Sequence, residues 1–239
     1  MIMMTMTTNK KPCIKILLPA LITNEEQKLM TDKCRKSLVS FEHCIQIIED
    51  NNKYKFSVAE VWETFFSNFR GKEYDYLMVV ANDTEMDCQA IDFGIRCLEE
   101  NPEAGVITFK VERDHDKYIK GYGQGIYDGK LSRNYKELDP ACFILKKSVI
   151  EKVGKMDFTF PCEFCERDYW YRCKLAGLDW IQLDQILCYH PSIAGTIGNS
   201  QERLQRALRK YTLKWGGDAG QEKYTHPYQD LNLDYTYIK

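Results

Sequence analysis

No stretch of this sequence approaches the length of a membrane-spanning helix, so no transmembrane segment is expected. Neither sign of charge dominates. The net charge is −2 over 239 residues, which removes any global pull toward nucleic acid or an anionic surface. No internal repeat is present. Pro19 to Glu26 contains no glycine, so it lacks the phosphate-cradling loop that a nucleotidyltransferase would place there. The opening MIMMTMTTNKKPC lacks the ordered regions of a secretory signal. The ten cysteines are therefore expected as reduced thiols in a cytoplasmic setting.

Apolar material is plentiful. Hydrophobic residues make up 44% and aromatics 13%, enough for the core of one large domain or two small ones. The most telling segment is Tyr74 to Glu85, YDYLMVVANDTE. The apolar run Leu77 to Ala81 stops abruptly at Asn82, Asp83, Thr84 and Glu85, which reads as a buried parallel strand. Carboxylates at the carboxyl end of such a strand sit where open α/β sheets bind ligands. Asp83 and Glu85 are spaced D-x-E, so two hard oxygen ligands could face one divalent cation holding nucleotide phosphates. The alternative is a plain turn in which Asp83 or Thr84 caps the next helix.

The first 111 residues alternate strand and helix. Strands are expected at Ile14–Leu21, Cys44–Ile48, Tyr74–Ala81 and Gly105–Val111. Helices are expected from Asn24, over Ser57–Phe69 and over Met86–Glu99. This pattern predicts a mostly parallel, doubly wound α/β sheet. Asp114 to Pro140 is rich in Gly, Tyr and charge and reads as hairpins or a mobile loop. Its G-Y-G-Q-G is no dinucleotide fingerprint, because the final glycine and the following helix are missing. Further elements are a short strand at Cys142–Leu145, helices at Lys147–Val153 and Phe164–Ala176 stopped by Gly177, a strand at Trp180–Tyr189 and a helix at Gln201–Trp215. The last helix carries Arg203, Arg206, Lys210 and Lys214 on one side, a face that is either solvated or turned to lipid.

Three segments in order resemble the family 2 glycosyltransferases of the GT-A fold: Asn82–Asp83–Thr84–Glu85 at a strand end, Ala141 to Gly154, and Phe164–Cys165–Glu166–Arg167–Asp168–Tyr169–Trp170–Tyr171–Arg172 ending in Ala176–Gly177. The third is similar to the family's E-D-x-D-x-x-x-R helix, with Cys165–Glu166 where the acidic pair stands. The strand ending Tyr189–His190 completes the series. Lys214–Trp215–Gly216–Gly217 with Pro227 is similar to viral and phage members, which implies the host cytoplasm.

The resemblance implies a GT-A domain over 13–198, with a nucleotide-binding half at 13–111 and an acceptor and catalytic half at 112–198. A disordered tail is expected at 1–12, with a small antiparallel addition to the sheet and a C-terminal helix and tail over 199–239 packed on the same domain. The implied reaction moves a sugar from a UDP-, dTDP- or GDP-linked donor to the hydroxyl of a glycan or other acceptor, with inversion. The implied cofactor is Mn²⁺ or Mg²⁺, held by Asp83, Glu85 and His190. Pro19, Ala20, Glu49 or Asp50, Asn82 and Asp83 would line the nucleotide pocket. Glu166 is the leading general base. Asp168 is the other acid of that helix, and its spacing also suits an i,i+4 ion pair with Arg172.

Two other readings compete. Cys162, Cys165, Cys173, Cys188 and His190 permit a zinc or redox site, although the spacing fits no compact template. The same crevice could also bind a sugar nucleotide or glycan without turnover.

Overall fold

The computed structural model describes residues 12–20, 22–50, 57–121, 131–132, 139–191 and 201–237. All of the tail expected at 1–12 except Pro12, together with Asn51, Asn52 and most of G-Y-G-Q-G, lies outside the described residues. In chain order the elements begin with strand β1 (Cys13–Pro19), helix α1 (Glu25–Ser37), β2 (Cys44–Asp50), α2 (Val58–Phe69), β3 (Tyr76–Val80), β4 (Glu85–Met86) and α3 (Ala90–Glu100). Then come β5 (Ala104–Glu112), α4 (His115–Gly121), β6 (Leu131–Ser132), β7 (Cys142–Lys146), α5 (Lys147–Val153), α6 (Cys165–Leu175), β8 (Asp179–Tyr189) and α7 (Gln201–Trp215).

Local chemistry sets the helix starts. Asn24 caps α1 by accepting the Gln27 N–H at 2.9 Å, with Glu25 and Glu26 in the first turn, where they suit the helix dipole. Ser57 and Glu60 form a reciprocal capping box on α2. Gly177, with φ +71°, adopts the left-handed conformation just past α6. At Gly94 of α3 an added Cβ would stand 2.8 Å from the Phe109 ring, so the helix lies close against β5.

One sheet joins the strands in the order β2-β1-β3-β7-β5-β8-β4, with β6 also paired to β8. β1 runs parallel to β2 and β3, and β5 parallel to β8, while β7 is antiparallel to both β3 and β5. The α/β, GT-A-type architecture expected from the sequence is therefore present. The short strands β4 and β6 pair antiparallel with β8 as small additions, and a further antiparallel strand, β7, lies in the interior between β3 and β5. β7 runs backwards because the chain re-enters the sheet at Ala141, already at the edge where β3 ends, as the bond from Ala81 N–H to the Ala141 carbonyl shows (2.7 Å).

Side chains alternate between two cores. Leu17, Leu77, Val79, Phe143 and Leu145 face α2, α5, α6 and α7. Ile14, Ile16, Leu18, Met78, Val80 and Ile144 face α1 and α3. Burial on both faces is why these strands read as near-continuous apolar runs.

Two sequence expectations shift. The helix expected from Met86 starts at Ala90, because Glu85 and Met86 are drawn into β4 against Tyr189 and Cys188. Neither Asp83 nor Thr84 caps it. Its cap residue is Gln89, which makes no side-chain cap bond, and Asp87 accepts the Gln89 N–H at 2.8 Å. The region after Asp114 opens with helix α4, capped by Asp114 through the Asp116 and Lys117 N–H groups. Its His115 and Tyr118 rest on Tyr189, 4.8 Å and 5.8 Å between ring centres.

Candidate active site

β1, β2, β3, β5 and β8 share one direction, so their carboxyl ends line one edge of the sheet, where β7 begins. Backbone bonds stitch that edge together. Ala20 N–H reaches the Asp50 carbonyl at 2.7 Å, and His190 N–H reaches the Glu112 carbonyl at 3.0 Å. Pro19, Ala20, Glu49, Asp50, Asn82, Asp83 and His190 are all gathered on this edge by the strand register. Arg113 and Asp139 stand there too.

The closest meeting is between Asp83 and His190. His190 Nε2 lies 2.9 Å from Asp83 Oδ1, both side chains less than a fifth exposed. The Ala81–Thr84 turn, closed by Thr84 N–H to the Ala81 carbonyl at 3.0 Å, aims Asp83 at the end of β8. Arg113 Nη1 contacts His190 Nδ1 and lies 3.2 Å from its carbonyl, while Nη2 pairs with Asp139. Asp139 is fixed in turn by the Ala141 N–H at 2.9 Å. The chain Asp139–Arg113–His190–Asp83 thus joins four segments. A guanidinium has no acceptor, so His190 Nδ1 must accept and Nε2–H must donate to Asp83.

The other strand-end acids have different partners. Glu85 faces Lys33 of α1 at 3.8 Å, and Glu49 is bound by Arg35 at 2.6 Å. Asn82 donates to Thr31 Oγ1 at 2.9 Å. Asp50 continues the edge beside Ala20. Among the described residues no group of three or more His, Cys, Asp or Glu is arranged to hold a metal ion. Asp83 offers a hard oxygen that suits a divalent cation. Glu85 is turned to Lys33, and both nitrogens of His190 are committed, so the three side chains do not form the expected ligand set in this arrangement.

Helix α6 brings Glu166 toward the same edge. The helix ends against the amino ends of β5 and β8, where Asp179 N–H meets the Glu103 carbonyl at 2.8 Å, so its first turn points the other way. Phe164, in the left-handed region at φ +67°, turns the chain into the helix. Glu166 has a side chain 15% exposed, with Arg167 Nε at 3.8 Å and the Cys165 thiol at 3.5 Å. Burial pushes its carboxyl above the ordinary glutamate range, against the pull of its own N–H and Arg167. Its partners lie on its own helix, apart from the Asp83–His190 pair.

Asp168 is fully buried. Arg172 Nε donates to its Oδ2 at 3.0 Å, the i,i+4 pair that the spacing allowed. Lys214 and Trp215 Nε1, the latter at 2.8 Å, occupy its Oδ1. Lys214 also binds Asp157 at 2.8 Å, and Tyr237 donates to Asp157 at 2.7 Å. Two acids and two bases thereby lock α6 to α7 and to the segment after it.

All ten cysteines are free thiols. Burial pushes Cys34 and Cys173 up to about 12 and lifts Cys142, Cys165 and Cys188 well above the usual thiol range. Buried thiols of this kind are poor nucleophiles, and among the described residues no three His, Cys, Asp or Glu stand together as metal ligands, so the arrangement does not support the zinc and redox readings. Arg113 and Asp139 were missed by sequence reasoning. The signal was the same kind that marked Asp83: Glu112–Arg113–Asp114 halts an apolar strand as sharply as Asn82–Asp83 does.

No family model matches the sequence, and no curated protein sequence matches it. Solved structures do. The crystal structure of S. aureus TarS 1-349 in complex with UDP-GlcNAc aligns with a TM-score of 0.55 and 11% identity, over 82% of this chain and 64% of that one. The complex of the same protein with UDP gives 0.55 and 10%, over 82% and 63%. A further structure of S. aureus TarS gives 0.55 and 9%, over 86% and 40%. The chain thus spans less than two thirds of the length of these structures, and at this identity the likeness is one of fold.

Proposed function

We propose that the chain is a glycosyltransferase, similar to family 2, that moves a sugar from a nucleoside-diphosphate sugar to an acceptor hydroxyl with inversion. The observation that carries this reading is the meeting of Asp83 and His190 at the carboxyl edge of a GT-A-type sheet, with Glu166 opening a helix toward that edge. Two of the neighbouring structures are complexes with UDP-GlcNAc and UDP, which makes a UDP-sugar the first donor to test, ahead of dTDP- and GDP-sugars.

In this reading Pro19, Ala20, Asp50 and Asn82 bound the nucleotide, with Glu49 held back by Arg35. Asp83 faces the diphosphate. A Mn²⁺ or Mg²⁺ bound through Asp83 would neutralise charge on the departing diphosphate. Glu166 removes the proton from the acceptor hydroxyl as its oxygen attacks the anomeric carbon. Attack opposite the leaving group inverts that carbon. A carboxyl lifted by burial is a stronger base, which suits this task. Asp168, with both oxygens engaged, holds the helix that presents Glu166 and transfers no proton.

The test is a thermal-shift comparison of UDP, dTDP and GDP with and without Mn²⁺, followed by an assay for transfer or slow donor hydrolysis. Stabilisation by one nucleotide together with turnover is expected. Binding with no turnover of any sugar donor would leave a binding domain and sink the enzymatic reading.

A further inference from the structure

We propose that Arg113 binds the diphosphate of the donor, and that it releases His190 when it does so. The inference rests on the nucleotide-sugar reading above.

Four side chains form the chain Asp139–Arg113–His190–Asp83, and Arg113 is its most exposed member. It is 41% exposed, against 22% for Asp139, 19% for His190 and 17% for Asp83. The surroundings are acidic: Asp83, Glu85, Glu112, Asp114 and Asp139 all stand at or beside this edge. A diphosphate entering there needs a cation, and Lys33 and Arg35 of α1 pair with Glu85 and Glu49 as Arg113 does with Asp139, but of the three it is Arg113 that also contacts His190 beside Asp83. A guanidinium offers five donors in a fork that matches phosphate oxygens. Arg113 uses two of its nitrogens here, one on a neutral imidazole and a backbone carbonyl, the other on Asp139. A charge-assisted pair with phosphate is stronger than a bond to a neutral ring nitrogen, so the exchange runs toward the donor.

The exchange has a second consequence. While Arg113 is on His190 Nδ1, the imidazole must keep its proton on Nε2, against Asp83. Departure of Arg113 leaves Nδ1 as an open acceptor, while Asp83 still holds the proton on Nε2. Arg113 therefore decides whether Nδ1 of His190 is open, and donor binding opens it.

The test uses calorimetric titration of UDP, inorganic pyrophosphate and uridine, without metal, into wild type, Arg113→Gln and Arg113→Lys. Matched melting temperatures would establish that the variants fold. Arg113→Gln should weaken UDP and pyrophosphate by roughly 10- to 100-fold and leave uridine unchanged, with Arg113→Lys in between. In wild type labelled with ¹⁵N-histidine, pyrophosphate should shift the Nδ1 resonance of His190. Pyrophosphate affinity in Arg113→Gln within about twofold of wild type, an unmoved Nδ1 resonance, or no wild-type binding of either phosphate probe would overturn the proposal. Diphosphate binding that depends on Arg113 but brings no sugar turnover would leave this inference standing while the enzymatic reading fails.

Discussion

His190 Nε2 stands 2.9 Å from Asp83 Oδ1, although one residue follows β8 and the other follows β3. The contact exists because both strands run the same way and β4, a two-residue strand carrying Glu85, pairs directly with Tyr189. That pairing fixes the register of the two strand ends. It brings a carboxylate and an imidazole together with an arginine behind them, an arrangement that neither segment contains by itself.

Asp83→Ala should abolish donor turnover, a loss of roughly 10²-fold or more, and should leave the fold intact because the side chain lies at the sheet edge. Steady-state kinetics beside a melting curve checks both parts. Wild-type rates in this variant would remove Asp83 from the mechanism.

Glu166→Gln should bind nucleotide as wild type does and lose transfer by about 10²- to 10⁴-fold. The base acts only when ionised, and burial holds its pKa above the ordinary glutamate value. The wild-type rate should therefore climb with pH through a midpoint displaced upward from that value. A pH–rate profile without this acidic limb, or one that persists in the Gln variant, would reassign the base.

Asp168→Asn should destabilise the domain by about 3–5 kcal/mol, because it leaves Arg172 buried against a neutral partner and Lys214 with Asp157 as its remaining carboxylate. Lys214→Met, which removes the opposite charge, should also be costly. Urea unfolding monitored by tryptophan emission reports directly, since Trp170, Trp180 and Trp215 are buried. A loss below about 1 kcal/mol would mean that the network is not what anchors α6.

Acid should weaken the same region in a defined window. Burial alone would raise the Asp157 carboxyl, but attraction and hydrogen bonding from Lys214, with Tyr237 and the Thr159 N–H, bring it down from the ordinary 3.8 to about 2. A lowered folded pKa means that its stabilisation is complete above 3.8 and drains away as pH falls toward 2. Asp157→Asn should flatten the pH dependence of unfolding over that interval. An unchanged slope would show that Asp157 is not the titrating group.

Much of the scaffold was legible residue by residue. Ser57 marked the start of α2, Gly177 the end of α6, and the apolar run into Asn82 the end of β3, because helix starts, left-handed glycines and buried strands depend on nearby residues. The start of α3 was not legible, since Glu85 and Met86 obey β8, a partner far along the chain. Helix α4 was missed because it is only seven residues long, and the i,i+3 pair His115 and Tyr118 on Tyr189 is too short a stretch to stand out as a helical period.

The linear order of residues determined which strands would be buried on both faces, and therefore that polar strand ends would collect along one edge. It also supplied the i,i+4 spacing of Asp168 and Arg172. Only the tertiary structure decided which polar groups share that edge as partners. Glu85 went to Lys33, Glu49 to Arg35, and His190 to Asp83 and Arg113. It also decided that Asp168 lies beneath the surface, under Lys214 and Trp215. The reason is range: caps and periodicity act within a few residues, whereas an ion pair is chosen by whichever charge the sheet register and helix packing bring within a few ångströms.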